Sequence, residues 1–164
     1  MSALNKNSII DLLDKTRVPY EIIDHPAVFT IEEMERLQLT HMDKVVKNLF
    51  IRDDKKRNYY LVLMQKDKSA NLKELRTKIE SKPLSFAGED DLYKYLKLRK
   101  GEVTPFGALN DEDNTVTVII DSELKDYEFI GVHPNDNTAT VFISPDDLVK
   151  ILDTKGQKIM FVDL

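Results

Sequence analysis

The sequence predicts a mixed α/β or α+β fold, with one curved, mostly antiparallel mixed sheet of about seven strands flanked by helices. Two observations lead to this class. Segments with strand periodicity interleave with segments of helical spacing, and both hairpins and crossovers are needed to connect them. No linker or internal repeat divides the 164 residues, a length suited to one core. We therefore expect one domain over residues 1–164, and not a doubly wound nucleotide-binding fold.

The N-terminal segment predicts two helices and one strand. Apolar residues share one face of the first helix: Ile9, Ile10, Leu12 and Leu13. Pro19 ends the connection, and YEIID after it is typical of a short strand. Thr30 followed by Glu33 matches a capping box, which predicts a second helix over EEMERLQL.

A hairpin and two helices are predicted next. The runs VVKNLFI and YYLVLMQ flank the polar turn DDKKRN, and two apolar runs around such a turn indicate an antiparallel pair. Helical spacing then predicts helices at about 71–81 and 90–98.

The C-terminal third predicts strands and one capped helix. Three short apolar runs are typical of strands: VTVIID, FIGVH and ATVFI. Ser144 as N-cap and Pro145 at the first helical position begin a helix that ends near Leu152. KIMFVDL closes the sequence as a strand.

Composition excludes several classes of function. The net charge of −5 argues against a protein that coats nucleic acid through its overall positive charge. The sequence has no cysteine, which excludes disulfides, thiolate metal sites and a cysteine nucleophile. No apolar run approaches the roughly 20 residues of a membrane span, and the opening segment MSALNKNSIIDLLDK is amphipathic, unlike a signal peptide. We expect a cytoplasmic protein with no membrane partner.

Common catalytic and cofactor motifs are missing from the sequence. It contains no GxSxG elbow, GxxxxGK[ST] phosphate loop, HExxH pair or dinucleotide GxGxxG. The histidines His25, His41 and His133 are widely spaced, with no supporting motif. We therefore expect neither a metal site nor a cofactor.

Two polar residues interrupt the apolar strand VVKNLFIRD. Strand alternation places Lys47 and Asn48 on opposite faces, so one of them is expected to enter apolar surroundings. A partly buried lysine needs a partner or a ligand, because burying an ammonium alone is costly. The alternative is an edge-strand lysine that opposes aggregation, and the strand taken by itself favours that alternative.

His133 and the loop GEVTPFGALND are further candidate site elements. His133 ends a strand beside a turn, where an imidazole suits contact with a ligand or proton transfer near neutrality. Gly101 permits close approach of the loop backbone and Pro105 directs it, so its N–H groups are candidate oxyanion donors. The alternatives are a turn-stabilising histidine and a tight connection between helix and strand.

Positive charge is clustered despite the acidic total. The runs RDDKKR, KELRTK and KYLKLRK are each consistent with an ordinary solvated face. The position of the last run sets it apart, because it leads directly into the glycine-proline loop.

Four segments together resemble one known family. DHPAVFTIEE, VKNLFIRD, GEVTPFGALND and GVHPNDNTATV resemble, in family order, the free-standing aminoacyl-tRNA editing proteins of the YbaK/prolyl-tRNA-synthetase-associated family. Within that family the sequence is most similar to the branch that hydrolyses alanyl-tRNA(Pro). The resemblance implies the family's fold and a trans-acting deacylase, which cleaves the ester between a wrong amino acid and the terminal ribose of the tRNA.

The resemblance also implies which residues form the site. The catalytic residues would be Lys47, Gly101 and His133. The substrate-binding residues carried over from the same motifs are Pro26, Phe29, Thr30, Asn48, Thr104, Pro105, Phe106, Asn137 and Thr138. The basic run would guide the acceptor stem through Lys94, Lys97, Arg99 and Lys100. Glu102 departs from the small residue that many relatives have inside the loop.

The implied chemistry needs no covalent nucleophile, because an aminoacyl ester is already activated. The enzyme holds the ester, positions a water and stabilises the oxyanion. The loop, with Phe106 behind it, would form the wall of a pocket too small for proline. Aminoacyl-tRNA(Pro) is the implied partner and prolyl-tRNA synthetase a second candidate, for a monomer or a homodimer. Two alternatives stay open: a cysteinyl-tRNA(Pro) deacylase, and a non-catalytic module that senses aminoacyl-tRNA or an amino acid.

Overall fold

The computed structural model of the chain describes residues 3–164. The helices in this range are α1 Lys6–Thr16, α2 Ile31–Arg36, α3 Leu72–Lys78, α4 Glu89–Leu96 and α5 Pro145–Asp153. The strands are β1 Tyr20–Asp24, β2 Val46–Asp53, β3 Tyr59–Gln65, β4 Leu84–Phe86, β5 Val116–Asp121, β6 Ile130–Val132, β7 Ala139–Ile143 and β8 Lys158–Val162. Short 3-10 helices cover Met42–Lys44, Pro105–Asn110 and Ser122–Asp126.

The strands form two sheets, so the mixed fold class is confirmed while the expectation of a single sheet is wrong. The larger sheet has the order β4-β2-β3-β5-β8 and the smaller one the order β1-β7-β6. The pairs β3–β5 and β5–β8 are parallel, and the remaining pairs are antiparallel. The additional strand is β4, which the sequence did not predict because it is only three residues long.

The two sheets meet at the start of β2. An isolated parallel bridge joins Val45, just before β2, to Gly131 in β6. β2 pairs with β4 only from Ile51 onwards, so the first half of β2 is left to contact the smaller sheet. The seam between the sheets therefore brings Lys47 and Asn48 close to the end of β6.

The predicted helix starts are confirmed by their caps. Thr30 Oγ1 accepts a hydrogen bond from the Glu33 amide at 3.1 Å, and Ser144 Oγ accepts one from the Asp147 amide at 3.1 Å. The Glu33 carboxylate, however, accepts from the Phe29 amide at 2.8 Å, one residue before the cap. This bond fixes the chain that enters α2.

The loop after α4 is more ordered than the sequence predicted. Pro105–Asn110 forms a 3-10 helix with Thr104 as N-cap and Pro105 in its first turn. α4 itself ends at Leu96, because Lys97 adopts a left-handed conformation with φ 57°. The segment between the two helices is therefore short and runs through Gly101.

The core is layered on both faces of the larger sheet. One face packs against α1, α4 and α5 through apolar residues such as Leu61, Val118 and Leu148. The other face packs Val62 and Ile119 against α3. A separate small cluster lies under the seam: Val28, Met34, Val45 and Phe142. Burial at about 25 cal/mol per Å² of apolar surface holds these layers together.

Candidate functional site

A cleft of about 160 Å³ lies at the seam between the two sheets. Six of the predicted site residues line this cleft: Phe29, Thr30, Lys47, Asn48, Gly101 and His133. Six predicted substrate-binding residues are not part of its lining: Pro26, Thr104, Pro105, Phe106, Asn137 and Thr138. The tertiary structure therefore brings the three predicted catalytic residues to one cavity, whereas these six predicted substrate-binding residues lie outside its lining.

Lys47 and Asn48 both reach the cleft, although neighbouring residues of a strand point to opposite faces. Both side chains are half-buried. They line the same cavity because the cleft lies at the edge of β2. The sequence predicted that one of the two would enter apolar surroundings, and in the structure both line the valine-rich cleft.

The Lys47 ammonium is held by the backbone. Its Nζ donates a hydrogen bond to the carbonyl of Lys68, which satisfies one of its three donor hydrogens. No carboxylate lies within ion-pair distance of Lys47 among the residues that the structure describes. The ammonium therefore has donor hydrogens left over for a ligand.

The Asn48 side chain is incompletely satisfied. Its Nδ2 makes a long contact of 3.5 Å with the carbonyl of Val46, while its buried Oδ1 has no hydrogen-bond partner within residues 3–164. A buried acceptor without a partner is costly, and Asn48 lines the cleft. This acceptor is suited to a donor group on a ligand.

His133 is oriented as a neutral imidazole. Its Nδ1 lies 2.8 Å from the carbonyl of Ala139, which can only accept, so Nδ1 carries the proton and Nε2 keeps its lone pair. Burial lowers the pKa of His133 below its ordinary value, and the neighbouring His25 lowers it further. At neutral pH the ring is therefore mostly uncharged, with an acceptor nitrogen available at the cleft.

His25 and Thr140 support this part of the site, and sequence reasoning did not assign either of them. His25 Nε2 lies 2.9 Å from Thr140 Oγ1, and its Nδ1 lies 2.9 Å from the carbonyl of Pro26. The His25 and His133 ring centroids are 5.9 Å apart. His25 thus connects the end of β1 to β7 and packs beside the predicted catalytic histidine.

Gly101 lies in direct contact with Phe29. Its φ of +86° falls in the region that favours glycine. A Cβ added there would lie 2.7 Å from Phe29 Cδ1 and 3.0 Å from Phe29 Cα. The glycine is required because the loop and the cleft entrance pack backbone against backbone.

Thr104 connects the loop to the histidine. Its hydroxyl donates to the carbonyl of His133 at 2.5 Å and accepts from the Phe106 amide at 3.4 Å. Phe106 is fully buried in the main core, so its assignment as a substrate-binding residue is corrected: it supports the loop from behind. Pro105 is likewise buried.

The remaining motif residues hold the cleft entrance. Asn137 Nδ2 donates to the carbonyl of Val28 at 2.8 Å, and the Val28 amide donates to the carbonyl of Asn137 at 3.3 Å. The Thr138 carbonyl accepts from the His25 amide at 2.9 Å. Asn137 and Thr138 therefore position the segment that includes Pro26, and do so through hydrogen bonds within the protein.

The basic run lies outside the cleft. Its four cationic side chains are exposed: Lys94, Lys97, Arg99 and Lys100. Lys97 and Arg99 lie over the ring of the exposed Tyr93, 5.6 and 5.7 Å from its centroid. Arg99 and Lys100 directly precede Gly101, so this end of the run reaches the cleft rim. Its role in tRNA binding stays a prediction.

The apolar part of the lining could not be singled out from the sequence. It consists of Val28, Ile31, Met34, Val45, Val46, Val103 and Val132. Residues of this kind predict core positions by periodicity alone, and nothing local distinguishes a cleft wall from a core layer. Gly131 is also part of the lining; a Cβ there would lie 2.8 Å from Phe142.

Residues 3–164 hold neither a candidate metal centre nor a candidate membrane span. No group of three or more histidine, cysteine, aspartate or glutamate side chains converges there in a way that could hold a metal ion. No helix in that range has both the length and the apolar character to cross a membrane.

Comparison with known proteins gives a consistent result. Residues 25–151 match the family described as aminoacyl-tRNA editing domain. The chain is 48% identical to the prolyl-tRNA editing protein ProX of Acetoanaerobium sticklandii over 97% of both chains. It is 36% identical to prolyl-tRNA synthetase associated domain-containing protein 1 of Danio rerio, over 90% of this chain and 81% of that protein.

A solved structure shares the fold. It is described as a candidate trans-editing enzyme for prolyl tRNA synthetase, and it superposes with a TM-score of 0.71 over 99% of both chains at 17% identity. The family match covers most of the chain, including β2, the loop at Gly101 and the strand end at His133. The chain therefore belongs to the aminoacyl-tRNA editing domain family.

Proposed function

We propose that this protein is a trans-acting hydrolase that deacylates mischarged tRNA(Pro), with alanyl-tRNA(Pro) as its substrate. The observation on which the proposal depends is the convergence of Lys47, Gly101 and His133 on one small cleft. The similarity to a protein named for prolyl-tRNA editing supports tRNA(Pro) as the nucleic-acid partner. We further propose that residues 1–164 form one editing domain, which works in the cytoplasm without a cofactor.

The reaction is the addition of water to the ester. The water oxygen bonds to the acyl carbon, the bond from that carbon to the ribose oxygen breaks, and the water proton passes to the departing ribose oxygen. His133 Nε2 would accept a hydrogen bond from this water, since Nδ1 donates to the carbonyl of Ala139. The low pKa of His133 keeps that acceptor available at neutral pH.

The loop backbone supplies candidate oxyanion donors. The Glu102 amide already donates to the carbonyl of Arg99 at 3.0 Å, and Pro105 has no N–H. The amides of Gly101 and Val103 make no hydrogen bond to any residue in the 3–164 range, and both residues line the cleft. Preorganised donors of this kind stabilise the charge that develops on a tetrahedral intermediate.

Lys47 and Asn48 would hold the substrate. The Lys47 ammonium suits the ribose and phosphate oxygens of the tRNA terminus, to which it would make charge-assisted hydrogen bonds. The unpartnered Asn48 Oδ1 suits the α-ammonium of the amino acid, which is a donor without an acceptor. The two residues thereby recognise opposite ends of the same ester.

Size is the proposed basis of specificity. A synthetase site built for proline rejects the smaller alanine weakly, since a missing methylene is worth only about 1–3 kcal/mol. A second, smaller site completes the selection by excluding proline. We propose that the valine-rich wall of the cleft accepts the methyl group of alanine and excludes the larger ring of proline.

The first prediction is the activity itself. Purified protein should hydrolyse alanyl-tRNA(Pro) in a single-turnover assay, spare prolyl-tRNA(Pro), and keep its rate when EDTA is present. Cysteinyl-tRNA(Pro) is assayed in parallel, and faster hydrolysis of that substrate would reassign the specificity. Binding of the tRNAs without hydrolysis of any of them would contradict the proposed deacylase activity and favour the alternative, a non-catalytic module that senses aminoacyl-tRNA.

The second prediction concerns the basic run. Reversing Arg99 and Lys100 to glutamate should weaken tRNA binding roughly tenfold at low salt and flatten the salt dependence of its Kd, because phosphate contacts release counterions. The matched control reverses Lys55 and Lys56, which are equally exposed in the β2–β3 turn. Equal effects of the two pairs would mean that Arg99 and Lys100 contribute only to the overall charge and do not form a specific path for the tRNA.

Prolyl-tRNA synthetase is the second candidate partner, and co-purification of the two proteins would test this association.

A further inference from the structure

Phe29 has an unusual position for a large apolar side chain. It is 56% exposed, and it lines the cleft. The other exposed large apolar residues described in the structure, Phe86, Tyr93 and Met160, do not line it. An isolated exposed aromatic is common on protein surfaces, so the surroundings of Phe29 decide whether it has a function.

Those surroundings fix the backbone at Phe29 and pack one edge of its ring against the loop. The Phe29 amide donates a hydrogen bond to the Glu33 carboxylate at 2.8 Å. The amide and the carbonyl of the preceding residue, Val28, are both hydrogen-bonded to Asn137. Gly101 packs so closely against Phe29 that not even a methyl group fits between them. Phe29 therefore stands at a defined position on the cleft rim, with most of its ring still open to a ligand.

We propose that the Phe29 ring stacks on the terminal adenine of the tRNA, an inference that rests on the proposed function. The ester is on the terminal ribose, and its carbonyl must reach His133 and the loop at Gly101. The base of that same nucleotide must then lie at the cleft mouth, where Phe29 offers an aromatic surface. Every base has a π-face, and stacking on an aromatic side chain is a general way to bind single-stranded ends. Arg99 and Lys100 next to Gly101 supply charge for the adjoining phosphates.

The test compares two substrates that differ only in the terminal base. One is alanyl-tRNA(Pro) and the other is the same alanylated tRNA with an abasic terminal nucleotide. In the protein as it stands, kcat/KM should be about tenfold higher for the substrate with adenine. Phe29→Leu keeps an apolar side chain without a flat face and should abolish this preference, while Phe29→Tyr should keep it.

The outcomes separate this inference from the function on which it rests. If Phe29→Leu lowers kcat/KM equally for both substrates, the residue has a structural role and the stacking inference is wrong. If the unaltered protein hydrolyses neither substrate, the proposed function fails instead. Stacking is then decided by the binding of a short CCA oligonucleotide to the protein and to Phe29→Leu, where equal affinities would overturn it.

Discussion

Replacing Lys47 by alanine is expected to slow the hydrolysis of alanyl-tRNA(Pro) about 100-fold while the protein remains folded. The ammonium is half-buried at the cleft, and its described partner is the carbonyl of Lys68. Removing it costs the protein one backbone contact but costs the substrate a charge-assisted hydrogen bond. Single-turnover hydrolysis and thermal unfolding should be measured on the same sample.

Two further variants isolate the charge. Lys47→Met keeps an unbranched stem without the ammonium and should be as slow as Lys47→Ala, whereas Lys55→Ala in the exposed β2–β3 turn should have the normal rate. The competing interpretation is an edge-strand lysine that opposes aggregation, which the half-free edge of β2 permits. A near-normal rate for Lys47→Ala, together with lower solubility, would establish that interpretation and remove Lys47 from the site.

Replacing Gly101 by alanine is expected to lower both stability and activity. At φ +86° an alanine is strained, at a cost of about 1–2 kcal/mol. Its Cβ would also lie 3.0 Å from Phe29 Cα, a backbone atom that a side-chain rotation cannot move. Overpacking of this kind adds roughly 1–3 kcal/mol. We expect the free energy of unfolding to fall by about 2 kcal/mol or more, and hydrolysis to slow more than tenfold as the loop is displaced.

Gly156 provides the matched control for this variant. Its φ of +69° is also positive, but a Cβ there would meet nothing within 4 Å. Gly156→Ala should therefore show the backbone strain alone, with a loss of about 1 kcal/mol and a normal rate. Chemical denaturation and single-turnover kinetics of both variants give the comparison. Equal losses of stability and equal rates would mean that the contact between Gly101 and Phe29 is unimportant.

Local features of the structure could be predicted from the sequence because their physics is local. Thr30 and Ser144 cap helices within three residues of themselves, and the β2–β3 hairpin connects neighbouring segments. The short strand β4 was missed because three residues carry too little periodicity. The end of α4 was predicted two residues late, because Lys97 adopts a left-handed conformation that lysine does not signal.

The candidate site was likewise predictable in part. The sequence pointed to Lys47, Asn48, Gly101 and His133 through polar or glycine residues in unexpected places, and the resemblance assigned their roles. It could not distinguish residues that line the cleft from residues that support it. Phe106 shares a motif with Gly101, yet it is buried in the core. Asn137 shares a motif with His133, yet its side chain donates a hydrogen bond to the segment at the cleft entrance.

The sequence by itself therefore determined most of the helices and strands, their order, the helix caps and the residues with unusual chemistry, since each of these depends on neighbours in the chain. The tertiary structure alone decided that the strands divide into two sheets and that the cleft opens at their seam. It also decided that Lys47 and Asn48 share one cavity and that His133 keeps Nε2 as its acceptor. The physical reason is that these features arise from contacts between residues far apart in sequence, such as Val45 with Gly131 and Phe29 with Gly101, which no local pattern encodes.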